Sequence, residues 1–287
     1  MLVACSALLA AATAAWAGTT FSARGAASHT PRFRHVILVV FENHEADDVV
    51  GNTDAPTFNS LASRYGTMTN YTALTHPSLP NYLALVSGST QGIDSDCTSC
   101  VVDGGSLADT LQAARKTWRT YAEGLPSVGF TGSSSGRYSK KHSPFLYFRR
   151  NQTSARIRRI VPLTQFLPDL RRKKLPAFSL VVPDLCHDMH DCSVRTGDTW
   201  LRGFMAPLLR PGVLRKSVVF VVFDEGTSDT GGGGHVLALA IGPLVRPHAS
   251  TNAALNHYGL LRTIERGLGL PLLGQSAGAR PISGIWR

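Results

Sequence analysis

Several short stretches of this chain carry side chains able to do chemistry. Glu42-Asn43 and Asp224-Glu225 each set two hard oxygen donors side by side. Such donors suit a divalent cation of the magnesium, calcium or manganese type, with zinc as a further candidate. Adjacent carboxylates on one edge repel unless something positive stands between them, either a metal or an Arg or Lys brought from elsewhere in the chain. In Thr75-His76-Pro77-Ser78-Leu79-Pro80-Asn81-Tyr82, Ser78 stands just before a helix opened by Pro80. The free backbone N–H groups and dipole at a helix start can hold a phosphate against a hydroxyl, and a metal or a neighbouring base activates the serine. Asn81, one turn on, is placed to bond a phosphoryl oxygen. The competing reading makes Ser78 a plain helix cap. His187-Asp188-Met189-His190-Asp191, closed off by Cys186 and Cys192, offers an acid, a base or a second metal ligand. His76, His142 beside Lys141, and His257 are further candidates, although a lone histidine is more often structural.

Strands must deliver these groups to one place. His35–Phe41, Phe178–Val182, Ser217–Phe223 and residues 236–241 have the length and composition of fully buried strands. The first three run into Glu42-Asn43, Pro183-Asp184 and Asp224-Glu225, so their carboxyl ends all carry polar groups. In an open parallel sheet those ends share the edge where ligands bind. Helical patterns over 57–64, 80–86, 106–115, 199–209 and 258–268 alternate with the strands. The pattern predicts an α/β fold, a three-layer sandwich around a mainly parallel sheet. Residues 124–174 break the rhythm with Gly, Ser and basic residues and read as an insertion over the sheet edge. Gly231 to Gly234 lacks the following helix of a phosphate cradle and reads as a loop or long hairpin.

At 287 residues and 43% hydrophobic, the chain can bury one large domain, placed at 33–287 behind a linker over 18–32. Residues 2–17 are uncharged and close on Ala15-Trp16-Ala17, so a signal peptide is expected over 1–17. Leu2-Val3-Ala4-Cys5 also fits a lipoprotein cleavage box. The expected location is therefore secreted or at the cell envelope. No later stretch reaches the roughly 18 apolar residues of a membrane span. Cys97/Cys100 and Cys186/Cys192 form two local pairs, which in an exported chain suggests two disulfide loops. A four-thiolate zinc site competes, without zinc-ribbon spacing in the second pair. Of the net charge of +10, twelve Lys/Arg against Asp169 between Arg137 and Lys174 make a local +11 and leave the rest near −1. That block is either a solvated surface or a field for anions. Without the interleaved aromatics of a single-strand binder, nucleic acid is not an expected partner. Phosphorylated small molecules or lipid head groups are, together with peripheral contact with an anionic membrane.

Phe41-Glu42-Asn43-His44, His76-Pro77-Ser78-Leu79-Pro80-Asn81-Tyr82, residues 138–145, 187–191, Asp224-Glu225 and residues 257–265 occur in this order. Together they resemble the bacterial phosphoesterase family of acid phosphatases and nonhaemolytic phospholipases C, within the alkaline phosphatase superfamily, over about residues 33–287. The likeness is strongest to its small secreted acid phosphatases, described as phosphatidylinositol 3-phosphatases. The resemblance implies an alkaline-phosphatase-like fold and a metal bound by Glu42, Asn43, Asp224 and Glu225. It implies Ser78 as the phosphorylated nucleophile, with His76, Asp188 and His190 close by, and Lys141, His142 and His257 are expected to contact substrate. The expected reaction is in-line attack by Ser78 on a phosphomonoester, His190 or His76 protonating the leaving oxygen, then hydrolysis of the phosphoserine. A phospholipase C-type diesterase is the rival enzyme, and a non-catalytic module binding anionic lipid or nucleic acid through 137–174 the rival of another class. Gly231 to Gly234 with His235, and the heavy basic segment, depart from the family pattern and bear on substrate choice.

Overall fold

Six of the seven residues of His35–Phe41 are completely buried, and a strand buried on both faces belongs inside a sheet covered by two layers. The computed structural model describes residues 1–2 and 29–287. Apart from Met1 and Leu2, the expected signal peptide lies outside the described residues, as do Cys5 and the linker up to residue 28. Eight strands form the main sheet: β1 (His35–Phe41), β2 (Gly66–Met68), β3 (Trp118–Ala122), β4 (Ile160–Pro162), β5 (Phe178–Val182), β6 (Ser217–Phe223), β7 (Ala238–Ile241) and β8 (Ala249–Thr251). Their order is β8-β2-β7-β6-β1-β5-β3-β4. β7 alone runs against its neighbours β2 and β6, so the sheet is mainly parallel, as expected.

Six helices matter for the site: α1 (Pro56–Arg64), α2 (Ser78–Ser87), α3 (Leu107–Ala113), α4 (Phe166–Arg171), α5 (Val194–Leu208) and α6 (His257–Leu268). Alternation along β6 shows how they divide. Phe223 and Phe41 pack against Phe58 of α1, and Phe41 also meets Trp200 of α5. Phe220, three residues earlier and thus on the other face, meets Phe33 and Trp286. Phe33 lies against α6, so closely that a Cβ on Gly267 would stand 2.0 Å from its ring. One face therefore carries α1 and α5; the other carries α6 with α2, which also packs on α3. This is the three-layer sandwich.

Three readings of the chain change. Residues 124–174 do not simply lie over the sheet: Ile160–Pro162 is its terminal strand, pairing with β3, and Tyr138, Phe145 and Phe148 are core residues. Helix α2 begins at Ser78 rather than at Pro80. Helix α5 starts at Val194, five residues before the expected position, and its Asp198 accepts from the Thr57 and Phe58 N–H groups at the start of α1, 2.7 and 3.0 Å away. Residues 231–234 do form a loop. Glu45 staples it by accepting from the N–H groups of Thr227, Ser228 and His235 at 2.8–2.9 Å, and a Cβ on Gly234 would sit 2.6 Å from that carboxylate.

At the far end of α6, buried Glu265 accepts from the Leu273 N–H at 2.9 Å and the Ser276 hydroxyl at 2.6 Å, clasping the C-terminal segment. Burial pushes its carboxyl up to about 7 from the usual 4.5. A raised folded-state value means that folding favours the protonated acid, so this group's contribution is most favourable below 4.5 and is lost as pH rises toward about 7. Glu265→Gln, which keeps one of the two acceptor oxygens, is expected to show a shallower fall in thermal stability across that window than the parent. Parallel melting curves would reveal this, and superimposable pH slopes would refute it.

Candidate active site

The carboxyl ends of β1 and β6 bring Glu42, Asn43, Asp224 and Glu225 to one edge, and α2 delivers Ser78 to them. Ser78 is 1% exposed. Its Oγ lies 3.0 Å from Glu42 Oε2 and 3.0 Å from Glu225 Oε1, so a single hydroxyl proton faces two carboxylates. Ser78 is the first residue of the helix, and Pro77 before it holds the N-cap position. The helix-cap reading fails because Pro77, not Ser78, is the N-cap and the Ser78 hydroxyl goes to Glu42 and Glu225.

These acids sit in a place that resists negative charge. Burial, followed by the charge of Asp188, pushes Glu42 well above the carboxylate range, although Tyr82 donates its O–H to Glu42 Oε1. Burial, then Glu42 and Glu225, pushes Asp224 the same way. Asp224 Oδ1 accepts from the Glu225 N–H at 2.7 Å, whereas Oδ2 is buried with no hydrogen-bond partner among the described residues. Asn43 adopts a left-handed backbone (φ 55°), which Asn tolerates, and its Oδ1 is likewise buried and unpaired. Unpaired buried oxygens are costly. Two of them among crowded carboxylates form a donor set that fits a hard divalent cation.

A second group shares Glu42. His142, 1% exposed, stacks on Tyr82 with centroids 5.1 Å apart. Its Nε2 is 3.3 Å from Glu42 Oε1 and its Nδ1 3.3 Å from Asp188 Oδ2. Burial, then Lys141 and His190, pulls His142 well below the usual imidazole value, which keeps it neutral, while burial lifts Asp188 to about 7. His142 Nε2 and Asp188 Oδ2 also lack hydrogen-bond partners among the described residues. Glu42, His142 and Asp188 offer ligand atoms within 4.8 Å of one another.

The remaining candidates divide. His76 Nδ1 lies 2.5 Å from Glu225 Oε2 and its Nε2 3.1 Å from the Ser228 carbonyl. Burial pulls its pKa down, but those two acceptors outweigh it and the net shift is upward. His190 bonds Asp191 Oδ1 through Nδ1 at 2.6 Å, and its Nε2 lies 3.3 Å from the Lys141 ammonium. Lys141 has only protons to give, so His190 Nε2 is the acceptor there. Asn81 and His257 do not reach the centre. Asn81 Oδ1 accepts from the Leu74 N–H and its amide N–H groups donate to the carbonyls of Thr75 and Pro77, so the side chain braces the loop before Ser78 and has no donor left for a phosphoryl oxygen. His257 is fully buried behind the edge, with Nε2 2.6 Å from the Asp224 carbonyl and Nδ1 2.9 Å from the Tyr71 hydroxyl. It buttresses Asp224 and lies too deep for substrate contact. His187 turns aside to Glu123 and Asp184, at 3.0 and 3.3 Å. The disulfides are Cys97–Cys100 and Cys186–Cys192.

Two residues escaped the sequence reading. Tyr82 had a usable signal, standing one turn after Ser78 and so facing the same way. Asp96 had none. Its Oδ1 accepts from the Leu79 N–H and its Oδ2 from Lys141 Nζ, both at 2.9 Å, tying the cationic arm of residues 137–148 to the helix that carries Ser78. Asp96→Asn retains the bond to Leu79 but loses the ion pair. It is expected to raise KM for a phosphate ester about tenfold, the scale of one hydrogen bond to a charged group, with kcat changed less. An unchanged KM would remove Asp96 from substrate positioning.

The solved structures similar to this fold include a protein in the alkaline phosphatase superfamily from Vibrio parahaemolyticus, with a TM-score of 0.59 at 14% identity over 89% of this chain and 72% of that one. The fold is thus alkaline-phosphatase-like. Residues 51–271 match the Phosphoesterase family, and the chain belongs to it as a phosphoric ester hydrolase. The chain is 37% identical over 276 residues to the phosphatidylinositol-3-phosphatase of Mycobacterium tuberculosis, covering 95% of this chain and 89% of that protein. It is 30% identical over 257 residues to an acid phosphatase of Aspergillus fumigatus, covering 85% of this chain and 56% of the fungal protein.

Proposed function

We propose that this phosphoesterase is a metal-dependent phosphatase that cleaves phosphate monoesters through a phosphoserine on Ser78, with phosphoinositides among its substrates, and that it acts after export. The observation that carries the reading is the buried Ser78 hydroxyl held 3.0 Å from both Glu42 and Glu225. Glu42, Asn43, Asp224 and Glu225 would hold the divalent cation, which when bound neutralises phosphoryl oxygens and lowers the hydroxyl pKa. Lys141, held by Asp96, adds positive charge at the rim.

Ser78 Oγ attacks phosphorus in line while its proton passes to the carboxylate it faces, and the bond to the leaving oxygen breaks. His76 protonates that oxygen. Acceptors oppose both of its ring nitrogens, which favours the imidazolium, whereas the His190 nitrogen facing Lys141 must be unprotonated. In the second half, neutral His76 takes a proton from the water that attacks the phosphoserine, and Ser78 recovers its own proton. The names of the relatives support a monoesterase, one of them a phosphoinositide enzyme, and two disulfides support an oxidising compartment.

The test is turnover of p-nitrophenyl phosphate beside bis(p-nitrophenyl) phosphate, with and without chelator. Monoester turnover that chelation abolishes and added metal restores is the expected outcome. Preference for the diester would reassign the substrate class, and full activity after exhaustive chelation would overturn the metal.

A further inference from the structure

At the pole opposite the catalytic edge, a groove of about 1040 Å³ opens between α4, the end of α5 and the segments that enter β1 and β6. Arg34, Arg171, Lys173, Arg210, Arg215 and Lys216 line it, and no Asp or Glu does. All six are exposed, and none makes an ion pair among the described residues. Asp169, the nearest acid in sequence, is taken by Arg119 and by the Tyr121 hydroxyl. Leu167, Leu170, Leu175 and Val213 also line the groove, with Leu167 40% exposed.

The wider basic segment shows why the charge gathers here. Lys141, Arg149 and Arg156 pair with Asp96, Asp103 and Asp109, so part of its first half is neutralised internally. Arg171 and Lys173 come from its other end, joined by four cations from two distant parts of the chain, Arg34 and residues 210–216. Six like charges around one concavity repel one another unless an anion relieves them. A lining that combines six cations with apolar side chains matches an amphiphile with an acidic head and a hydrocarbon tail.

We propose that this groove docks the protein on an anionic bilayer, acidic lipid head groups lying on the six cations and acyl chains against the leucines. The groove is separate from the active site proposed above. His35 and Lys216 lie at the starts of strands whose ends deliver Glu42 and Asp224, and seven residues of strand span about 23 Å. A docked molecule therefore turns its catalytic edge away from the bilayer that holds it, and the docking lipid is not the substrate.

Sedimentation of the full chain with vesicles of phosphatidylcholine, with and without phosphatidylglycerol, tests this. Binding is expected only to the anionic vesicles and is expected to weaken as salt rises from about 0.05 to 0.5 M. Each basic residue near an acidic surface contributes about fivefold, so Arg171→Glu/Lys173→Glu/Arg215→Glu should weaken binding about a hundredfold or more. Leu167→Asp should weaken it independently, while turnover of soluble p-nitrophenyl phosphate stays at the parental rate in both variants. Equal binding to neutral vesicles, or anionic binding that survives the triple charge reversal, overturns the proposal. Capture by heparin without vesicle binding would reassign the groove to a soluble polyanion and overturn the membrane assignment. Because turnover is read separately, loss of docking and failure of the phosphatase reading remain distinguishable.

Discussion

Ser78→Ala is expected to lower kcat for p-nitrophenyl phosphate by about a thousandfold or more, the scale on which removal of a nucleophile acts. Direct attack by water would account for what remains. The substitution leaves Glu42 its bond from Tyr82 and Glu225 its bond from His76, so the protein should stay folded, with a circular dichroism spectrum like that of the parent. Quenching a reaction on labelled phosphate ester with acid should leave label on the parent chain and none on the variant. Near-parental turnover, or equal labelling of both proteins, would rule out the phosphoserine route. This experiment separates a nucleophile from a serine that only orders its neighbours, since the latter affects rate without carrying phosphate.

Asp224→Asn is expected to act on stability and activity in opposite directions. Folding buries Asp224 beside Glu42 and Glu225, and burial together with those charges holds its carboxyl well above the carboxylate range. An acid with a raised folded-state value destabilises the fold progressively as pH rises above its ordinary value of 3.8. At neutral pH without metal, the Asn variant should therefore melt higher than the parent. Saturating divalent cation should reverse the order: at a hundred times Kd, binding should raise the parent melting temperature by about 5–10 °C. The variant should gain little and turn over poorly. A parent whose melting temperature ignores magnesium, calcium, manganese and zinc alike would defeat the metal assignment. The exchange of stability for a charged, crowded site is common where function requires it.

Much of the frame was legible. His35–Phe41, Phe178–Val182 and Ser217–Phe223 are strands over the ranges expected from their apolar runs. A central strand buried on both faces has no polar positions to obscure it, and the acids just past each run announce themselves. β3 and β4 were not legible. Trp118-Arg119-Thr120-Tyr121-Ala122 mixes polar and apolar residues, and Ile160–Pro162 is too short for periodicity to register. The helix starts shifted for a similar reason, since Asp198 caps α1 from 140 residues away.

By itself, the sequence determined the alternation of buried strands and helices, and with it the edge where Glu42, Asn43, Asp224 and Glu225 must meet, because strand polarity assigns every carboxyl end to one side. Only the tertiary structure decided which loop residues face that edge. His142 points into it, His257 buttresses it from behind, His187 turns aside to Glu123, and Asp96, just before the Cys97–Cys100 disulfide, holds Lys141. Spacing fixes direction in a strand or helix, where the backbone repeats, but in a loop direction is set by what the finished fold leaves room for.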